Sequence, residues 1–172
     1  MPECLNEKLS NIKGARKGTL IHYILENMDY SIVKDKLTFE EYIQKLLSSS
    51  DISLEEYNSI NISNMVKFIE DELTCKIRNA KYYKKEVEFI LSESNYTLSE
   101  LQGVIDLYYE DNDGSLVLID FKTDNLYSEK EFTKRYKFQL DVYKEALEVL
   151  TGKCVKEVYI YSFNLNKYIA IK

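Results

Sequence analysis

The spacing of apolar residues divides the chain into a helical first half and a second half made mostly of strands. From Gly18 onward, apolar side chains recur three and four positions apart, which predicts an amphipathic helix after a polar lead-in at 5–16. The same spacing runs through residues 61–79 and predicts one longer helix there. We therefore expect residues 1–80 to be mostly helical.

Two capping-box signatures predict where shorter helices begin. Thr38 is followed three residues later by Glu41, and Ser53 is followed by Glu56 at the same distance. In such a pair, each side chain accepts a hydrogen bond from the other residue's backbone N–H group at the start of a helix. We expect helices to begin at Thr38 and at Ser53.

Residues 81–172 show alternating or continuous apolar runs, which predict strands. The predicted strands cover 85–92, 100–110, 115–123 and 155–163, with a last short one at 168–171. A turn at 111–114 makes the second and third strands a hairpin, and Glu129–Leu150 is predicted to be a helix that ends at Thr151-Gly152. The order β-β-β-α-β follows, and with no linker dividing the chain we expect residues 1–172 to form one domain.

Three charged residues stand out in the otherwise apolar hairpin: Asp106, Asp120 and Lys122. Regular alternation puts Val104, Asp106 and Tyr108 on one face of their strand, and a turn centred near 112 would set Asp106 opposite position 118. Asp120 would then lie diagonally across from Asp106, roughly 7–8 Å away at the backbone. Lys122 would follow one side chain further along the same face.

Two interpretations of this hairpin remain open from spacing alone. Two converging carboxylates with a lysine beside them can hold a divalent metal and a water, which is the equipment of metal-assisted phosphodiester hydrolysis. An ordinary Asp–Lys ion pair on a solvated face of the hairpin would produce the same spacing. Asp is disfavoured in strands and costly to bury without a partner, so either arrangement needs a compensating cation.

Composition narrows the classes of protein. The chain has 23 Lys and Arg against 29 Asp and Glu, a net charge of −6, which argues against a free-standing duplex-binding protein. It has no secretory signal and no apolar run of about 18 residues that could span a membrane. Cys4, Cys75 and Cys154 lie far apart without zinc or iron–sulfur spacing, so we expect a cytoplasmic protein with no such cluster.

Five short motifs in the chain resemble those of one nuclease family. They are Gly18–His22 (GxxxH), Glu86–Phe89 on the first strand, Gly103–Asp106, Asp120–Asp124 (DFKTD) and Gln139–Tyr143 (QxxxY). In this order they resemble the RecB-type branch of the restriction-endonuclease-like PD-(D/E)xK nucleases. Within that branch the chain is most similar to the C-terminal nuclease domains of AddA-type helicase–nuclease proteins.

The resemblance implies a fold, an activity and partners. The fold would be α/β, with a restriction-endonuclease-like mixed sheet in the order α-β-β-β-α-β and an N-terminal helical segment. The activity would be Mg²⁺-dependent exonuclease hydrolysis of DNA, preferably single-stranded, with Mn²⁺ as a substitute, in double-strand-break repair and recombination. The partners would be the helicase portion of the same parent chain and an AddB-like subunit. The alternatives are a free-standing defence or phage nuclease and an inactive scaffold module.

The resemblance also implies a role for each site residue. Metal ligands would be His22, Asp106, Asp120 and the carbonyl of Phe121, with Glu86 binding directly or through water. Alternation places Glu86 and Glu88 on one face, so only the resemblance favours Glu86. Lys122 would polarise the attacking water or stabilise the charge that develops on the phosphate. Gln139 and Tyr143 would orient Lys122 or contact the DNA strand. Apart from the resemblance, Lys134, Arg135 and Lys137 belong with Lys130 to the one local concentration of basic residues, next to the proposed site, and we expect them to hold a phosphate backbone.

Overall fold

The computed structural model describes residues 18–92 and 100–172. The predicted lead-in at 5–16 and Cys4 lie outside these described residues. Two compact units meet in sequence between Glu70 and Asp71. Among the described helices, none is long and apolar enough to cross a membrane.

The first unit is helical, as predicted. Its helices are α1 (18–27), α2 (Lys36–Ser48), α3 (Leu54–Ser59) and α4 (Ile62–Glu70). Their apolar stripes meet in a core that includes Ile24, Met28, Phe39, Ile43 and Phe68, all 0% exposed. Such burial is the main favourable contribution to folding.

The capping residues confirm one predicted helix start and correct the other. α3 begins directly after Ser53, whose N–H donates to the Glu56 carboxylate at 2.8 Å, so this capping box is confirmed. The predicted start at Thr38 is wrong, because Asp35 caps α2 and accepts from the Thr38 N–H at 2.9 Å. The Thr38 hydroxyl in turn accepts from the Asp35 N–H, so Thr38 is the second partner of a capping box rather than its first.

The single long helix predicted over 61–79 is also wrong. α4 ends at Glu70, and a separate helix, α5 (Glu72–Asn79), begins after Asp71. Asp71 has an extended backbone, and its side chain accepts from the Leu73 N–H at 2.8 Å. Because the apolar spacing continues across this break, periodicity alone could not reveal it.

The second unit contains a five-stranded mixed sheet. Its strands are β1 (Tyr83–Leu91), β2 (Leu101–Glu110), β3 (Leu116–Lys122), β4 (Val155–Ser162) and β5 (Lys167–Ala170), hydrogen-bonded in the order β1-β2-β3-β4-β5. β3 and β4 are parallel, whereas the other neighbouring strands are antiparallel. The predicted α/β class and the β-β-β-α-β order are confirmed.

Helix α6 (Glu129–Thr151) connects the two parallel strands and covers one face of the sheet. Ser128 and Glu131 form its N-terminal capping box, and Gly152 ends it in the left-handed conformation at φ 67°. Its buried Phe132, Leu140 and Leu147 join an apolar cluster with Phe89, Ile105, Tyr108 and Leu118 of the sheet. This packing holds α6 against the sheet, with its main strand contacts to β4 and β1.

Gly103 lets α6 and β1 approach closely. A Cβ atom at this position would lie 2.9 Å from two ring carbons of Phe89 and 3.2 Å from a ring carbon of Tyr143. These two rings pack edge to face with centroids 5.4 Å apart, so neither can move without disturbing the other.

We predict that Gly103→Ala lowers the free energy of unfolding by about 1–3 kcal/mol, because the added methyl group overpacks this contact. Urea unfolding of the purified chain measures the change. Gln102→Ala, at the exposed neighbouring position, is the matched control and should shift stability by less than about 0.5 kcal/mol. An equal effect of the two substitutions would contradict the steric explanation.

Candidate active site

The regular side-chain alternation of β1 and β2 changes at two facing residues, Glu86 and Asp106. In β2, Ile105 and Tyr108 both belong to the cluster beneath α6, whereas Leu107, although fully buried, does not. In β1, Lys85 pairs with Leu107 and Val87 with Ile105, so Glu86 faces Asp106. The prediction that Val104, Asp106 and Tyr108 share one face is therefore wrong, since the alternation shifts by one position at Asp106.

Glu86 has a left-handed backbone conformation, with φ 48°. This conformation costs a residue with a Cβ atom roughly 1–2 kcal/mol. The ligand oxygens of Glu86 and Asp106 lie within 4.8 Å of each other. Glu88, which regular alternation placed on the same face, is exposed, while Glu86 is half-buried.

Strands β2 and β3 diverge at the candidate site. Their ladder ends at the pair Leu107–Ile119, and the same register continued by one residue sets Asp106 directly opposite Asp120. The predicted diagonal arrangement is therefore wrong, because the hairpin turn is centred one residue later than expected. The Asp106 carboxylate accepts a hydrogen bond from the Phe121 N–H at 2.6 Å, so a side chain takes the place of the next ladder bond.

Asp120 and Lys122 form a buried ion pair. The Lys122 Nζ atom lies 2.7 Å from Asp120 Oδ2, and the side chains are 15% and 2% exposed. This burial contradicts the alternative of an ion pair on a solvated face. Burial lowers the pKa of the Lys122 amine, but the Asp120 carboxylate outweighs this effect and the net pKa is raised. The amine is therefore held in its charged form.

Tyr136 contacts Lys122, and Asp124 contacts Tyr136 in turn; neither contact was predicted. The Lys122 amine lies 4.8 Å from the centroid of the Tyr136 ring, within the range of a cation–π contact. Burial and a hydrogen bond to the Asp124 carboxylate raise the pKa of the Tyr136 hydroxyl. Tyr136 lies one turn before the apolar Leu140, and this helical spacing indicates core packing rather than a polar contact.

Gln139 and Tyr143 lie one turn apart on α6, as their spacing predicts. The Gln139 amide donates to the Tyr143 hydroxyl at 2.7 Å, and burial raises the pKa of that hydroxyl. The hydroxyl is close enough to feel the charges of Asp120 and Lys122. This pair therefore lies beside the buried ion pair.

The basic residues predicted on α6 have solvent-exposed side chains. Lys134, Arg135 and Lys137 are exposed on α6; Arg135 lies 3.5 Å from Asp124, and Lys137 lies 3.2 Å from Asp141. His22 is half-buried on α1, in the first unit.

The donor chemistry of the second unit fits a hard divalent cation. Glu86, Asp106 and Asp120 occupy matching register positions on three neighbouring strands and offer carboxylate oxygens, the ligands that Mg²⁺ and Mn²⁺ prefer. The Phe121 carbonyl points to the same side as its N–H, toward Asp106, as strand geometry requires. A cation here would offset negative charge that one lysine balances only in part.

Comparison with known proteins identifies the family. A model of the PD-(D/E)XK nuclease superfamily matches residues 2–167. The chain belongs to this superfamily.

The similar proteins are AddA-type subunits of ATP-dependent helicase/nucleases. The one from Clostridium botulinum strain Hall is 34% identical over 96% of this chain, and the one from strain Alaska E43 is 35% identical over 99%. The Clostridium novyi strain NT protein is 31% identical over 96% of the chain. The expected similarity to AddA-type proteins is confirmed. The chain spans only 14–15% of the length of these relatives.

We predict that Lys122→Ala destabilises the metal-free protein by about 3 kcal/mol, because it leaves the buried Asp120 carboxylate without its cation. Mn²⁺ should then raise the melting temperature of the variant more than that of the unmodified chain, since a bound cation supplies the missing charge. Differential scanning fluorimetry with and without Mn²⁺ measures both effects.

The matched control is Lys156→Ala, which removes a lysine that pairs with Asp111 and Asp113 at the hairpin turn. Mn²⁺ should raise the melting temperature of this variant by the same amount as that of the unmodified chain. Equal Mn²⁺ shifts in the unmodified chain and in Lys122→Ala would rule out charge replacement at Asp120.

Proposed function

We propose that this chain is a Mg²⁺-dependent DNA exonuclease domain that hydrolyses phosphodiester bonds of single-stranded DNA, with Mn²⁺ as a substitute. The observation that carries the proposal is the alignment of Glu86, Asp106 and Asp120 across three strands with the Lys122 amine beside them. Three carboxylates on neighbouring strands and a buried lysine are costly to place in a sheet and add little apolar packing. They suit the stabilisation of a metal and a negatively charged phosphate.

The proposed metal ligands are Asp106, Asp120 and the Phe121 carbonyl, with Glu86 binding directly or through water. His22 is proposed as a further ligand on the basis of the sequence resemblance alone. The same resemblance favours treating residues 1–172 as one nuclease domain. A bound divalent ion would lower the pKa of a water molecule and neutralise charge on the scissile phosphate.

The chain's own residues would prepare this chemistry. The Phe121 N–H fixes the orientation of the Asp106 carboxylate, and the ion pair fixes that of Asp120. The charged Lys122 amine would hold the attacking water or stabilise the charge that develops on the phosphate. The Tyr136 ring and the Gln139–Tyr143 pair limit where that amine can move.

We further propose that the domain acts within an ATP-dependent helicase–nuclease, in double-strand-break repair and recombination in the bacterial cytoplasm. The names of its relatives support a helicase portion in the same parent chain. An AddB-like subunit would be its second partner. The net charge of −6 is consistent with a nuclease to which a motor delivers the strand, since a net negative charge opposes binding of the phosphate backbone.

Degradation of labelled single-stranded DNA tests the activity directly. The chain should degrade the strand with Mg²⁺ or Mn²⁺ but not with EDTA, and Lys122→Ala should lower the rate at least about 100-fold. Lys84→Ala, an exposed lysine on β1, is the control and should keep full activity. Degradation in EDTA, or full activity in Lys122→Ala, would refute the proposed mechanism.

A pair of isosteric substitutions tests the choice between the two glutamates of β1. Glu86→Gln should weaken Mn²⁺ binding roughly tenfold or more, because it removes a charge beside Asp106. Glu88→Gln should leave Mn²⁺ binding unchanged, since its side chain is exposed. Isothermal titration calorimetry compares the two, and a larger loss in Glu88→Gln would reverse the assignment.

A further inference from the structure

Exposed aromatic side chains are concentrated at one place on the described surface. Among residues 18–92 and 100–172, only Tyr127 and Phe138 are exposed aromatic residues, at 80% and 61%. Both lie in or next to the N-terminal half of α6. Neither ring belongs to any of the five nuclease motifs.

The two rings flank the basic part of α6. Lys134 and Arg135 precede Phe138 by four and three residues, so they lie beside it on the helix surface. Tyr127 comes directly before the N-cap, and its backbone N–H donates to the Glu131 carboxylate at 2.9 Å. That bond holds Tyr127 at the beginning of α6, about one turn from Glu131.

This basic and aromatic surface connects to the candidate site through one ring. The Arg135 guanidinium carbon lies 5.4 Å from the centroid of Tyr136, and the Lys122 amine lies 4.8 Å from the same centroid. A phosphate bound at Arg135 would therefore be separated from Lys122 by the Tyr136 side chain alone.

We propose that Tyr127 and Phe138 stack against the bases of an unpaired DNA strand, while Lys134 and Arg135 hold its phosphates. This inference rests on the proposed function and adds the residues that would select a single strand. Base faces in a duplex are already stacked, so an exposed ring can bind them only when the strand is unpaired. Stacking does not depend on base identity, which suits a nuclease that degrades any sequence.

The surroundings favour a nucleic acid over an apolar protein partner. Four cations lie close together in this segment of a chain whose net charge is −6: Lys130, Lys134, Arg135 and Lys137. Alternation of cations with exposed rings is the pattern by which single-stranded nucleic acid is bound. An apolar protein surface would complement the rings but not the cations.

Fluorescence anisotropy with a labelled oligonucleotide tests the proposal in EDTA, where no metal-dependent cleavage occurs. Phe138→Ala should weaken binding of the normal single strand about tenfold, and Phe138→Tyr should restore it. Val149→Ala removes a similarly exposed apolar side chain, 67% exposed, from the other end of α6 and should change nothing.

A second oligonucleotide separates stacking from phosphate binding. A strand of the same length with abasic sites keeps the phosphates and removes the bases, so the unmodified chain should bind it about tenfold more weakly. Phe138→Ala should reduce the difference between the normal and abasic strands, and the double variant Tyr127→Ala/Phe138→Ala should bind the two strands equally. A duplex of the same length should bind no better than the abasic strand.

Several results would overturn the stacking proposal: no binding of any strand at low salt, unchanged binding in Phe138→Ala, or equal losses on normal and abasic strands. A parallel degradation assay keeps the two proposals apart. Metal-dependent degradation with unchanged binding in Phe138→Ala would refute stacking alone. Stacking without degradation in any metal would refute the proposed nuclease activity alone.

Discussion

The gathering of carboxylates inside a sheet is the constraint on which the second unit depends. A buried carboxylate is costly unless a cation or hydrogen-bond donors compensate it. Asp120 is compensated by Lys122, and Asp106 by a backbone N–H that becomes available because β2 and β3 diverge. The divergence of the two strands thus helps to compensate the charge of Asp106, because it frees a backbone N–H group for the carboxylate.

Helix α6 contributes both to the core and to the surroundings of the buried ion pair. Its capping box and its left-handed Gly152 fix both ends, and its apolar stripe packs on the sheet. The half of α6 near its N-terminus then brings Tyr136 and the Gln139–Tyr143 pair to the buried lysine. One helix therefore supplies core packing on one side, contacts with the lysine, and a basic surface toward solvent.

Most of the architecture could be predicted from the sequence, because alternation and helical spacing report directly which side of an element is buried. The predictions of helix boundaries were wrong where local polar contacts determine the backbone conformation. Asp35, rather than Thr38, is the N-cap of α2. Asp71 separates α4 from α5, although the apolar spacing continues across it. The site was predictable as a set of residue types, but its register was not, since it depends on a hairpin turn centred one residue later than expected and on irregular pairing at Glu86 and Asp106. Tyr136 was missed because its cation contact depends on tertiary packing.

At Glu86, the left-handed backbone conformation disfavours the residue type that the proposed metal binding would require. Glycine or asparagine would adopt φ 48° at less cost, so foldability alone disfavours glutamate there. The metal-ligand role proposed for Glu86 would be a reason to keep the carboxylate despite that cost. A lineage that lost the need for this chemistry would be expected to replace Glu86 early and become more stable, so this residue should mark which descendants of the fold are still working enzymes.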